Sequence, residues 1–392
     1  MAKSIKTYIK TAAKDYSSRS VNPPVVRAST ILFKTMQELR KHQKDIGKGK
    51  EVEHWDYGRQ GTQTTVQLQK LLRGLEGARQ VFLTPTGFSA VALSIMSICR
   101  PGDEILISDG VYRPTQKLTD DLLKEFNVKA VWYNPNIFDD LKKKVSKKTK
   151  LIYVENPGSN TFEMNDLGKI VSLAKNKNIF TAIDNTWATA YFFKPLKLGF
   201  DISITSATKY YSGHSDVMGG TVAVNKKAYK KVWWYNHVSG YRLSPDDAYL
   251  IIRGLRTLDI RMDKHQESTK KIINFLKTQK KVFKILYPYK TSSREFKLWK
   301  KYYSGASGLV SIIIKSKNKN SVYKFVNNLE LFGIGYSWGG FESLAVYTDP
   351  IELGTRRYFK LEKNEHLVRL HIGLEDPKDL INDLKRSLQF IK

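Results

Sequence analysis

A single cysteine, Cys99, is present among 392 residues. No internal disulfide can form, and a reducing, cytoplasmic compartment is expected. Cys99 follows the apolar run Val91–Ile98 and reads as a small core residue. No apolar stretch nears the roughly 20 residues of a membrane span. Residues 1–14 lack the apolar segment of a secretory signal, so no membrane partner is expected. The seven histidines are scattered without metal-ligand spacing, which argues against a metal centre. Neither a Gly-x-Ser-x-Gly elbow nor a phosphate loop ending in Gly-Lys is found. Repeats and low-complexity segments are absent too.

Acidic residues are scarce. The 37 Asp+Glu face 66 Lys+Arg, a formal net charge of +29. Such a surplus can serve nucleic-acid binding. Here lysine is spread along the chain, and its densest runs, Lys142–Lys144 with Lys147–Lys148 and Lys280–Lys281, accompany no recognition-helix motif. A basic solvated surface is the favoured reading. Binding to nucleic acid that faded with salt yet survived loss of Lys209 would reverse it.

What is present is a regular alternation. Residues 1–60 read as an extended arm, with Pro23–Pro24 opposing helix and Lys48–Lys50 forming a loop. A helix is predicted from Thr64 to Leu75 with Leu68, Leu71, Leu72 and Leu75 on one face. Short strands follow at Val81–Leu83, Glu104–Ile107, Lys129–Tyr133, Leu151–Val154, Phe180–Ile183 and Ile202–Ile204, separated by helical stretches. This is the pattern of an α/β protein with a mostly parallel sheet, whose ligands bind beyond the strands' carboxyl ends. Residues 61–255 are expected to form this large domain. One long helix, Pro245–Leu276, should lead into a smaller C-terminal α/β domain within 256–392, with strands at Leu309–Ile314 and Leu367–Ile372 and helices at Ser321–Leu329 and Pro377–Ile391.

The residues at the strand ends carry chemistry. Lys209 follows a strand and a turn bracketed by Ser206 and Thr208, with Gly213, Gly219 and Gly220 beyond. A lysine there can be desolvated, and its lowered pKa suits a Schiff base with an aldehyde cofactor. Alone it is a weak signal among many lysines.

Ser206-Ala207-Thr208-Lys209-Tyr210, with Gly213-His214-Ser215-Asp216 after it, resembles the cofactor-lysine segment of the Cys/Met metabolism family of pyridoxal-phosphate enzymes, the cystathionine lyases and synthases. The resemblance runs from about residue 15 to the C-terminus, with further motifs in the same order. It implies the aspartate aminotransferase-like fold (fold type I) and pyridoxal 5'-phosphate as cofactor. Lys209 would hold the cofactor and move protons. Asp184 would pair with the ring nitrogen, and Tyr112 would stack on the ring and act in proton transfer. Gly87 and Phe88 would give backbone amides to the phosphate at a helix N-terminus, although relatives often carry methionine where Phe88 stands. Ser206 and Thr208 would add hydroxyls. Tyr57 and Arg59 would reach the phosphate of a neighbouring subunit, giving shared sites in a dimer and most simply a tetramer. Arg369 would bind the substrate carboxylate, with Ser337, Trp338, Tyr57 and Asn156 as further substrate contacts.

Three segments resemble the β-acting lyases of that family rather than its γ-acting members. These are Tyr336-Ser337-Trp338-Gly339-Gly340-Phe341-Glu342-Ser343-Leu344, Glu155-Asn156-Pro157-Gly158-Ser159, and Arg113-Pro114 after Tyr112. They imply cleavage of L-cystathionine at Cβ to homocysteine, pyruvate and ammonia, as in methionine biosynthesis. A γ-synthase or γ-lyase is the alternative, and slow alanine racemisation a side activity.

Overall fold

The computed structural model describes residues 3–13, 19–48, 52, 55–289, 293–348, 353 and 355–392. Among the described residues there are eleven strands, most of them separated by helices: β1 (Gln80–Thr84), β2 (Glu104–Ser108), β3 (Lys129–Tyr133), β4 (Thr149–Glu155), β5 (Phe180–Asp184), β6 (Ile202–Ser206), β7 (Gly220–Val224), β8 (Val282–Leu286), β9 (Leu309–Lys315), β10 (Leu344–Thr348) and β11 (Glu365–His371). The first seven form one sheet in the order β1-β7-β6-β5-β4-β2-β3. Strands β2 to β6 pair in parallel, and β7 runs antiparallel between β1 and β6. The other four make an antiparallel sheet, β10-β11-β9-β8.

Strand alternation divides the large sheet's apolar side chains between two faces. In β4, Ile152 and Val154 join one buried cluster, while Leu151 and Tyr153 join the other. The first cluster continues through Leu309, Ile312 and Leu367 of the second sheet, so the two sheets share packed side chains. The helix Gln63–Glu76 buries Leu68, Leu71, Leu72 and Leu75 completely and ends at Gly77, whose left-handed φ of 68° suits the residue. Truncating any of these leucines to alanine is expected to cost about 2–5 kcal/mol.

The structure departs from the sequence reading in three places. The N-terminal arm is not extended throughout, because Ile5–Thr11 and Met36–Gly47 are helical. Ile9 is fully buried, and Arg256 donates to the Ile9 and Ala12 carbonyls at 2.8 and 2.6 Å, which anchors that turn. Gly49 and Lys50 of the expected loop lie outside the described residues. The single long helix is two, Pro245–Leu255 and Leu258–Leu276. At the break the Gly254 carbonyl accepts from Arg261 (2.6 Å) and Thr257 instead of continuing the helical ladder. Strands β7, β8 and β10 were not anticipated. In β7, a Cβ on Gly220 would lie 2.3 Å from the Thr86 carbonyl oxygen, so this glycine serves close packing rather than a loop. Among the described residues no helix is long and apolar enough to cross a membrane.

Candidate active site

Parallel strands end on one side of a sheet, and there the loops after β2, β4, β5 and β6 enclose a cavity of about 390 Å³. Its wall includes Gly87, Phe88, Tyr112, Asp184, Ser206, Thr208, Lys209, Ser337, Trp338 and Arg369. Chain segments far apart in sequence thus meet in one space.

The helix Gly87–Met96 opens on this cavity. Thr86 and Ser89 cap it reciprocally: the Thr86 hydroxyl accepts the Ser89 N–H and the Ser89 hydroxyl accepts the Thr86 N–H, both at 3.0 Å. The remaining first-turn amides lack helical partners. A Cβ on Gly87 would sit 2.4 Å from Ser206 Oγ, so the helix N-terminus lies directly against the Ser206 hydroxyl. Thr208 is differently employed. Its hydroxyl donates to the Gly219 carbonyl at 3.2 Å and accepts the Gly219 N–H at 3.0 Å, closing the loop that follows Lys209.

Lys209 Nζ donates to Ser337 Oγ at 2.5 Å and lies 5.4 Å from the Trp338 ring centroid. The lysine is half-buried and lines the cavity. Burial, reinforced by the positive charge of Arg369 and opposed by Asp184, brings the amine from 10.5 down to about 8. Arg369 Nη2 donates to the Ser337 carbonyl at 3.1 Å. Ser337 therefore links both cations.

Asp184 ends β5. Its Oδ1 accepts from the Thr186 N–H at 2.9 Å and the Thr186 hydroxyl at 2.6 Å, and Thr186 Oγ1 in turn accepts the Ser206 N–H at 2.9 Å. Burial raises the Asp184 pKa, while Thr186 and Lys209 pull it down.

Two neighbours escaped the sequence reading of individual site residues. Glu155, the in-register partner of Asp184, accepts the Tyr112 N–H at 2.6 Å and lines the cavity. Burial and the Asp184 charge push its pKa well above the ordinary range. Trp187 also lines the cavity, its indole N–H reaching the Leu309 carbonyl at 3.4 Å. Glu155 stands inside a segment already singled out, and its charge beside a strand end was the available signal. For Trp187 proximity to Asp184 was the only one.

Asn156 is a correction. Its side chain is fully buried behind the wall, donating to the Tyr303 hydroxyl at 2.8 Å and accepting the Asn165 N–H at 2.7 Å. Having spent its amide on packing, it is not part of the cavity lining. Tyr57 and Arg59 are likewise not brought to the cavity of their own chain. Arg59 donates to the His237 carbonyl at 3.3 Å, with its guanidinium 5.6 Å from the Tyr57 ring centroid, and Tyr57 is 46% exposed.

The cavity thus combines a weakly basic amine, a buried carboxylate, a helix N-terminus beside a hydroxyl, and a guanidinium. That donor set suits a cationic ring nitrogen, an aldehyde and a phosphate on one small molecule. Among the described residues no cluster could hold a metal ion.

Comparison with known proteins points the same way. The model of the Cys/Met metabolism PLP-dependent enzyme family matches residues 6–389. Cystathionine beta-lyase MetC of Escherichia coli (strain K12) is 35% identical over 376 residues, covering 95% of this chain and 94% of that protein. The L-alanine/L-glutamate racemase of Wolbachia pipientis wMel is 33% identical over 380 residues, covering 95% and 93%. In structure, the cystathionine gamma synthase of Xanthomonas oryzae pv. oryzae, solved with aminoacrylate and cysteine, superposes with a TM-score of 0.90 at 27% identity over 100% of this chain and 99% of that one.

Proposed function

The chain belongs to the Cys/Met metabolism family of pyridoxal-phosphate-dependent enzymes, and from that premise we propose that it is a carbon–sulfur lyase cleaving L-cystathionine at Cβ to homocysteine, pyruvate and ammonia. The observation that carries the reading is the joining of Lys209, Ser337 and Arg369, with Trp338 over the amine. When bound, pyridoxal phosphate supplies an electron sink for the pair released from the substrate's Cα–H bond.

The chain's own groups do the rest. Lys209 would hold the cofactor through its aldehyde, and its Nζ would take the substrate's Cα proton. An amine brought to about 8 is a competent base near neutral pH. Asp184 would pair with the ring nitrogen through Oδ2, since both bonds it accepts from Thr186 fall on Oδ1. The first-turn amides at Gly87 and Phe88, with the Ser206 hydroxyl, would take the phosphate. Arg369 offers its guanidinium fork to the α-carboxylate. Tyr112 would cover the ring, and Trp338 would narrow the space beyond the substrate's Cα. As the Cβ–S bond breaks, the departing sulfur receives a proton from Lys209 Nζ.

Trp338 and the flanking glycines support β- over γ-elimination, as does the E. coli relative's name. Tyr57 and Arg59, away from their own cavity, serve that of a second subunit, so the functional unit is a dimer with shared sites, assembled further as a tetramer in the cytoplasm.

The test is an absorbance spectrum followed by a product assay on L-cystathionine. A visible band lost in Lys209→Ala, with pyruvate and free thiol formed together, supports the lyase. Formation of 2-oxobutyrate instead moves the chain to γ-elimination. Absence of the band even with added pyridoxal phosphate removes the reading.

A second activity has its own support. Lys209 and Tyr112, two groups able to move a proton, line the same cavity, and a relative is named as a racemase. Removal of the Cα proton by one group and delivery of a different proton to the opposite face by the other inverts L-alanine. Failure to form D-alanine at any enzyme concentration excludes it.

A further inference from the structure

Strand β11 places side chains at i and i+2 on one face, and both Arg369 and His371 reach the loop 336–341. Arg369 takes the Ser337 carbonyl. His371, 1% exposed, sets its Nε2 3.0 Å from the Gly339 amide nitrogen and 3.2 Å from the Gly340 carbonyl oxygen. As an acceptor this nitrogen binds the Gly339 N–H, and in the other tautomer it binds the Gly340 carbonyl. The imidazole engages the loop backbone either way.

That backbone touches the reactive lysine. A Cβ on Gly339 would fall 3.0 Å from the Lys209 carbonyl carbon and 3.1 Å from its Cα, and Gly339 has a φ of 90°. Two residues earlier Ser337, the partner of Lys209 Nζ, holds a φ of 80°. A non-glycine residue in this region persists only where its surroundings over-determine it. Behind the loop, His371 packs 5.3 Å from the His265 ring and 6.0 Å from Tyr210, and Tyr210 packs 5.5 Å from Trp338. Burial, His265, and the charges of Arg369 and Lys209 push the His371 pKa well below its ordinary value.

We infer that His371 is a positioning residue, a buried tether on the Gly339–Gly340 backbone that sets Ser337 and Trp338 against Lys209. What Ser337 and Trp338 then do rests on the lyase reading above, but the tether stands on the geometry alone. Nothing in the sequence marked it, because a histidine in an apolar strand reads as core.

Glutamine reaches about as far as Nε2 and can donate or accept, whereas asparagine falls one methylene short. The experiment compares wild type, His371→Gln and His371→Asn in two measurements: kcat and KM of the holoenzyme with L-cystathionine, and hydrogen–deuterium exchange of the cofactor-free protein. The Gln variant is expected to stay within about threefold of wild type. The Asn variant is expected to lose about 30-fold or more in kcat/KM, mostly in kcat, since small misplacements of reacting groups are costly. Exchange over 336–341 should quicken about tenfold in the Asn variant alone, with the strands unaffected. If that variant fails to fold, His371→Ser takes its place.

Equal behaviour of the Gln and truncated variants overturns the inference, as does loosening spread across the four-stranded sheet. If wild type releases neither pyruvate nor thiol yet the local exchange difference remains, the tether stands and the lyase reading falls.

Discussion

Glu155 and Asp184 are paired in register at the carboxyl ends of adjacent parallel strands, two carboxylates side by side on the cavity wall. They do not share their environment evenly. Asp184 accepts two bonds from Thr186 and feels Lys209, while burial and the Asp184 charge push Glu155 well up. Glu155 is the one whose pKa is pushed further up, chiefly by burial. Glu155→Gln, which mimics the protonated acid and still accepts the Tyr112 N–H, is expected to leave kcat/KM within about threefold. Glu155→Ala strands that N–H and should lower kcat/KM by about 10- to 100-fold. Asp184→Asn removes the charge opposite the ring nitrogen and should lower kcat by about 100-fold or more. Steady-state kinetics on the three variants checks the ordering.

Lys209 makes cofactor-free stability depend on pH. Its amine falls from 10.5 in the unfolded chain to about 8 in the fold, so between those values the unfolded state binds more protons. Stability should therefore rise with pH across that window. Lys209→Met lacks the group and should exceed wild type in stability below pH 8, the gap closing above pH 10.5. Urea midpoints of both proteins from pH 7 to 10.5 measure it; parallel curves would contradict the desolvation account.

Glu76 works in the opposite sense. It is 1% exposed, accepts from the Tyr211 hydroxyl at 2.7 Å and from Ser203 at 3.3 Å, and is raised from 4.5 to about 7 chiefly by burial. The folded state then binds more protons between those values, and stability should fall as pH rises from 4.5 to 7. The loss is on the order of 3 kcal/mol. Glu76→Gln should flatten that part of the profile, read as the change in unfolding free energy between pH 5 and 8.

Shared sites have a direct signature. Arg59→Ala and Lys209→Ala should each be nearly inactive, but subunits unfolded together and refolded as a mixture should regain about a quarter of wild-type activity, because a mixed dimer holds one intact site. No recovery, with mixed dimers demonstrated by mass, would place Arg59 with its own chain's chemistry.

Much of this protein is legible without coordinates. The alternation of strands and helices, the Leu68–Leu75 face, and Lys209, Asp184 and Tyr112 at successive strand ends all follow from local periodicity and from where a parallel sheet puts its ligands. Arg369 stood out as a cation in an apolar run. The residues missed or misplaced share a different trait. Asn156 reads as a polar contact, but Tyr303 and Asn165 claim its amide. Glu155 owes its raised pKa to burial and to Asp184 beside it, and His371 its task to a loop 32 residues earlier in the chain.

The sequence by itself determined the fold class, the place of Lys209 after a strand and the order of the strand-end residues, because backbone periodicity and residue chemistry are local properties. Only the tertiary structure decided which polar side chains face the cavity and which are spent on packing. It also decided how burial and neighbours shift each carboxylate and what holds Ser337 against Lys209. Burial, hydrogen bonding and pKa depend on partners that the chain brings together only by folding.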